Sequence, residues 1–167
     1  RPRFEKIFKK FEEGSLSPLE FCKVHTSTSE RVGDYIKIFD YIVSNTKGKT
    51  ILDIGCGFNP LLLSIYSNEY EYLAVDIDIE QQRFLNKYFE LKKLKHFKAE
   101  VGDALLNKFE KVDIAFAFKL LPVLDQIDSE SCDQFLSNLD CNFLVVTLPN
   151  KSLGGKEKGM RENYRNI

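Results

Sequence analysis

Thr50-Ile51-Leu52-Asp53-Ile54-Gly55-Cys56-Gly57 decides how this chain is read. The run is too short for a helix and almost wholly apolar or β-branched, so Thr50–Ile54 reads as a buried strand opening into a glycine loop. Downstream, a helix is expected from about Pro60. A second strand, Tyr72–Val75, ends at Asp76, and a helix over 79–94 carries Phe84, Leu85, Tyr88 and Phe89. Strands follow at Phe97–Val101, Val112–Phe118 and Phe143–Leu148, with a helix at about 129–139 before the last. Upstream, Phe4, Ile7, Phe8 and Phe11 fall at helical spacing within 3–13, and Gly14 breaks that helix. Ser17-Pro18-Leu19-Glu20 is a capping box with proline at the first helical position, starting a short helix to about His25. A second box, Ser27-Thr28-Ser29-Glu30, opens a longer helix whose buried stripe is Val32, Tyr35, Ile36, Phe39, Ile42 and Val43. Strands alternating with helices predict an α/β fold: a mostly parallel sheet joined by right-handed crossovers, with helices on both faces.

Composition narrows the class. The 167 residues suit one domain, and 14 Phe with 7 Tyr supply a core that a disordered chain lacks. No apolar run approaches the roughly 20 residues of a bilayer span, so no membrane partner is expected. With 24 basic and 25 acidic side chains the net charge is −1, so any polyanion contact must rest on local patches. Cys22, Cys56, Cys132 and Cys141 form no C-x-x-C pair, which argues against a zinc site and fits a reducing, cytoplasmic compartment. The chain opens with Arg1-Pro2-Arg3 and its one methionine is Met160, which leads us to expect a piece of a longer protein.

The glycine loop follows the first strand, at the end of a doubly wound sheet where ligands bind. Glycines let the backbone turn sharply and approach a nucleoside, and Asp76, nineteen residues after Gly57, suits the two hydroxyls of a ribose. The competing reading is a tight turn with an incidental strand-end aspartate. A dinucleotide site asks for G-x-G-x-x-G, but Pro60 holds the third position, where it is expected to prevent close helix–strand packing and removes an N–H. No Walker loop is present. The D-x-G-x-G form with a downstream acid resembles the S-adenosylmethionine (SAM) site of class I methyltransferases. Gly102-Asp103-Ala104 then sits where those enzymes hold the adenine amino group; the alternative is an aspartate that caps the next turn. Phe118-Lys119-Leu120-Leu121-Pro122 lacks the Asp/Asn-Pro-Pro-aromatic motif of exocyclic-amine methylation. Methylation of a pyrimidine C5 needs a cysteine nucleophile, yet Cys56 lies in the loop and Cys132 and Cys141 are expected in a helix and a turn. What remains is a target that already owns a lone pair.

Four blocks carry a more specific resemblance: His25-Thr26-Ser27-Thr28-Ser29-Glu30-Arg31-Val32, Asp53 through Leu61, Phe118 through Leu124, and Ser152-Leu153-Gly154-Gly155-Lys156-Glu157-Lys158-Gly159-Met160 through Tyr164. In order and content they resemble the aminoglycoside-resistance 16S rRNA (guanine-N7) methyltransferase family. The resemblance implies a Rossmann-like class I SAM-methyltransferase sheet over 27–167, preceded at 1–26 by the end of a helical N-terminal domain. Members have seven strands, so the last antiparallel pair is expected beyond Ile167. Carried over, Arg31 pairs with the SAM carboxylate, Gly55, Cys56 and Gly57 line its methionine part, and Asp76 with Ile77 takes the ribose. Asp103 and Ala104 take the adenine, and Phe118 and Leu124 wall the pocket. Arg31 has a second reading as a surface ion-pair residue. Lys119 either faces the RNA or closes a strand end.

The implied reaction moves a methyl group to N7 of a guanine in 16S rRNA of the small subunit, leaving S-adenosylhomocysteine. N7 has no proton to lose, so no catalytic residue and no metal are expected, and the rate must come from proximity and orientation. Lys151, Lys156, Lys158, Arg161 and Arg165, against Glu157 and Glu162, form the basic segment expected to meet RNA phosphate. Residues 87–98, with five lysines against Glu90, read as a solvated face. A monomer is expected. Other readings are a SAM-dependent methyltransferase of another RNA position or of a small molecule, or a SAM- or ribosome-binding module without turnover.

Overall fold

Ile51, Leu52, Asp53 and Ile54 are all at most 1% exposed, the mark of a central strand covered on both faces. They belong to β1 (Thr50–Ile54) of a computed structural model that describes residues 4–24, 28–29, 32–67, 69–128 and 130–148. The helices are α1 (Glu5–Glu12), α2 (Pro18–Val24), α3 (Tyr35–Asn45), α4 (Asn59–Tyr66), α5 (Ile79–Leu91), α6 (Leu121–Leu124) and α7 (Ser131–Ser137). The other strands are β2 (Glu71–Asp76), β3 (Phe97–Val101), β4 (Val112–Phe118) and β5 (Cys141–Thr147). All pairings are parallel, in the order β3-β2-β1-β4-β5, as the alternation of strands and helices predicts. The order reverses between β1 and β4, the switch point at which the loops of such sheets part to leave a crevice.

Side-chain alternation divides the core. Ile51, Tyr72, Ala74, Phe97, Ile114 and Phe116 face one way and pack with α1 to α5. Leu52, Ile54, Val75 and Ala117 face the other way and meet Leu121, Leu124 and Phe135 from α6 and α7. Phe135 is fully buried, and removing such a side chain from water contributes about 2–3 kcal/mol. Phe4, Phe11, Phe21, Phe58 and Phe84 form an aromatic cluster in which Phe21 meets the loop residue Phe58 edge-on at 4.8 Å. The N-terminal helices therefore brace the glycine loop directly.

Several expectations need correction. The second face of the sheet is not covered throughout. On β3, Lys98 and Glu100 are exposed and ion-paired at 2.5 Å, beside a groove of about 600 Å³. The connection 102–111 explains this, because it forms turns rather than a helix. Pro60 does not hold α4 off the sheet: it sits in the first helical turn, where a missing N–H removes no helical bond, and Leu61, Leu62 and Leu63 are fully buried. The long helix expected from Ser27 to Val43 is interrupted by a turn at Gly33-Asp34, since glycine is a poor helix former, and α3 starts at Tyr35. Ile36, assigned to the buried stripe, is 44% exposed. Cys141 opens β5 rather than lying in a turn, paired with Val112. The four-residue helix α6, with Pro122 in its first turn, stands where the sequence pattern predicts no helix.

Candidate cofactor crevice

Gly55 follows β1 at φ 65 and Gly57 at φ 52, both in the left-handed region that glycine enters freely. At Gly55 space also decides: a Cβ there would stand 3.3 Å from Leu120 Cδ1, on the loop after β4. The loop is stitched to β2. The Gly55 and Cys56 amides both donate to the Val75 carbonyl, at 2.9 and 3.1 Å, and the Gly57 amide donates to Asp76 Oδ2 at 3.1 Å. The Asp78 amide donates to Asp76 Oδ1 at 3.2 Å, just before Asp78 caps α5 by accepting from the Gln81 amide. One strand-end carboxylate is thus fixed at the mouth of the crevice by two amides, with lone pairs to spare on both oxygens.

The other candidates are placed as follows. Ile77, next to Asp76, is 71% exposed. Asp103 and Ala104 are half-buried, and Asp103 Oδ1 accepts from the Leu105 and Leu106 amides at 2.8 and 3.3 Å, capping a turn. Phe118 is buried and stacks on Phe116 at 4.9 Å, while Leu124 is buried in the opposite core. Lys119 holds φ 59, a left-handed geometry that costs a non-glycine residue about 1–2 kcal/mol. Its amide donates to the Thr147 carbonyl at 2.8 Å, and the turn carries Leu120 over Gly55. Cys56 is fully buried beneath the loop, with Gln82 Nε2 donating to its sulfur at 3.4 Å. Burial, and then the Asp53 charge, push its thiol well above the usual range, so it is no thiolate nucleophile. Arg31, Lys151, Lys156, Lys158, Arg161 and Arg165 lie outside the described residues.

Sequence reading passed over three buried polar side chains. Tyr72, Asn59 and Gln82 sit under the loop; Tyr72 donates to Asp53 at 2.5 Å and Asn59 to the same carboxylate at 3.3 Å. The available signal was Asp53 itself, since a carboxylate inside an apolar strand requires donors.

A glycine loop and a fixed strand-end carboxylate at the switch point of a parallel sheet are the features of a Rossmann-like fold. The chain belongs to the FmrO ribosomal RNA methyltransferase family, whose sequence model matches residues 19–167. It is 34% identical over 146 residues to the 16S rRNA (guanine(1405)-N(7))-methyltransferase of Serratia marcescens, spanning 84% of this chain and 56% of that protein. Against the protein of the same name from Micromonospora rosea the identity is 33% over 148 residues, spanning 84% and 53%. The chain thus spans about half the length of the curated relatives it matches. Among solved structures, the 16S rRNA methylase ArmA superposes with a TM-score of 0.77 at 38% identity, covering 99% of this chain and 84% of that one. The 16S rRNA methyltransferase RmtF, in complex with S-adenosyl-L-homocysteine, gives a TM-score of 0.81 at 29% identity, covering 96% and 62%. The fold is therefore that of class I methyltransferases.

Proposed function

We propose that this protein transfers a methyl group from SAM to N7 of guanine 1405 in 16S rRNA, the base in the names of its relatives. The observation that carries the reading is the Gly57 amide bound to the Asp76 carboxylate at the crevice mouth. The residues suit such a nucleoside: Asp76 keeps lone pairs for two ribose hydroxyls, and Gly55 offers bare backbone beside Leu120. Gly55, Cys56 and Gly57 would line the methionine part by their backbone, and Arg31 would meet its carboxylate. Ile77 would lie beside Asp76 at the ribose, Asp103 and Ala104 would take the adenine, and Phe118 and Leu124 would support the wall. Bound SAM supplies a methyl group made electrophilic by its sulfonium. Guanine N7 presents a lone pair without a proton, so the protein needs no general base, and its residues contribute orientation and exclusion of water. Lys119, Lys151, Lys156, Lys158 and Arg161 would hold the RNA, with the target base drawn from its stack.

On this reading the protein acts as a cytoplasmic monomer on the small ribosomal subunit; among its described residues no helix is long and apolar enough to cross a membrane. Its effect in a cell would be aminoglycoside tolerance. The test is incubation with small subunits and labelled SAM, followed by mapping of modified bases. Label at N7 of guanine 1405 is expected. Label on an amine or on C5, or none at all, overturns the proposal.

A further inference from the structure

Beneath the glycine loop lies a group of polar side chains that methyl transfer does not itself require. Asp53 and Asn59 are fully buried, and Tyr72 is 2% exposed. Asp53 lies near the end of β1, two residues before Gly55, and Asn59 begins α4 on the far side of the loop. Both the Tyr72 hydroxyl, at 2.5 Å, and Asn59 Nδ2, at 3.3 Å, donate to the same oxygen, Asp53 Oδ2. The two feet of the loop are therefore joined by side chains, and Tyr72 ties that junction to β2. The same strand also anchors the loop backbone through the Val75 carbonyl and the Asp76 carboxylate.

We propose that Tyr72 is a positioning residue of the cofactor loop: its hydroxyl fixes Asp53, Asp53 fixes Asn59, and the clasp holds Gly55–Phe58 in the shape that receives the ligand. A buried carboxylate without its donors seeks a proton or water, and either change would loosen the loop. Burial, with the Asp53 charge next, pushes the Tyr72 hydroxyl well above its usual range, so it remains a donor at neutral pH. The titratable groups around the clasp are Cys56, Tyr35 and, across the loop, Asp76. The affinity readout rests on the SAM reading of the crevice; the loop readout does not.

The test is Tyr72→Phe in the full chain, which keeps the ring stacked on Phe97 at 5.0 Å and removes only the hydroxyl. The expected results are roughly tenfold weaker S-adenosylhomocysteine binding with kcat at saturating SAM nearly unchanged, as for a lost charged hydrogen bond. The carbon-13 titration of the Asp53 carboxylate should move upward in pH. Amide exchange should quicken at Gly55–Phe58 and not in β5. An unmoved Asp53 titration with unchanged loop exchange overturns the proposal, as does exchange that quickens equally in every strand. If the wild type binds no S-adenosylhomocysteine while loop exchange and titration respond as expected, the SAM reading fails and the positioning role stands. Should the phenylalanine variant not fold, Asn59→Ala removes a second donor to Asp53 Oδ2 and is expected to give the same pattern.

Discussion

Asp76 receives the Gly57 and Asp78 amides on separate oxygens, so one side chain fixes both the glycine loop and the approach to α5. Its replacement is the sharpest residue-scale test. Asp76→Ala is expected to weaken SAM binding by about 1–3 kcal/mol through lost charged hydrogen bonds, read by calorimetry. An unchanged affinity would put the ribose elsewhere. At the amino end of the sheet, Asp113 does comparable work on stability. The Lys49 and Thr50 amides and the Thr50 hydroxyl donate to Asp113 Oδ2 at 2.8 to 3.0 Å, and these amides hold its carboxyl below the usual range. A lowered folded pKa means that this stabilisation is full above the unfolded value near 4 and is lost as pH falls through the folded one. In urea unfolding from pH 7 to pH 2.5, Asp113→Asn should therefore destabilise at neutral pH and reduce the loss of stability on acidification. An acid limb identical to the wild type would remove Asp113 from the account.

At the scale of elements, α2 matters more than its seven residues suggest. The Ser17 amide and hydroxyl both donate to Glu20 Oε2, at 2.8 and 2.7 Å, and the Glu20 amide donates back to Ser17 Oγ at 3.2 Å. That closed box starts the helix that presses Phe21 against Phe58 in the glycine loop. Ser17→Ala is expected to cost about 1 kcal/mol, measured by thermal or urea unfolding. An equal stability would show that Pro18 alone suffices to start α2. The box was legible because its spacing is local: serine, two residues, then glutamate. The break at Gly33-Asp34 was less so, because an apolar stripe at helical spacing ran straight across it.

Across the whole molecule, a ligand in the crevice would touch loops from β1, β2 and β4 at once, so binding should stabilise the fold as a unit. At a hundredfold excess over Kd, S-adenosylhomocysteine is expected to add about 2.7 kcal/mol. For a chain of this length that corresponds to a rise in Tm of roughly 5–10 °C, readable in a melting experiment. No shift at saturating ligand would count against the cofactor. The asymmetry of the two faces matters here as well. The aromatic cluster of Phe4, Phe21, Phe58 and Phe84 backs the crevice on one side, while the outer face of β3 stays open.

The sequence by itself determined the strands, their parallel class and the loop where a nucleoside belongs. Those features depend on neighbours along the chain: a short apolar run, a glycine turn, an aspartate closing the next run. Only the tertiary structure decided which polar groups meet across strands. Tyr72 reads as one more aromatic core residue until β2 lies beside β1 and brings its hydroxyl to Asp53. Likewise, Leu120 closes over Gly55 only because the left-handed turn at Lys119 carries the end of β4 there. Contacts between residues far apart in sequence follow from strand order and register, and no local pattern encodes those.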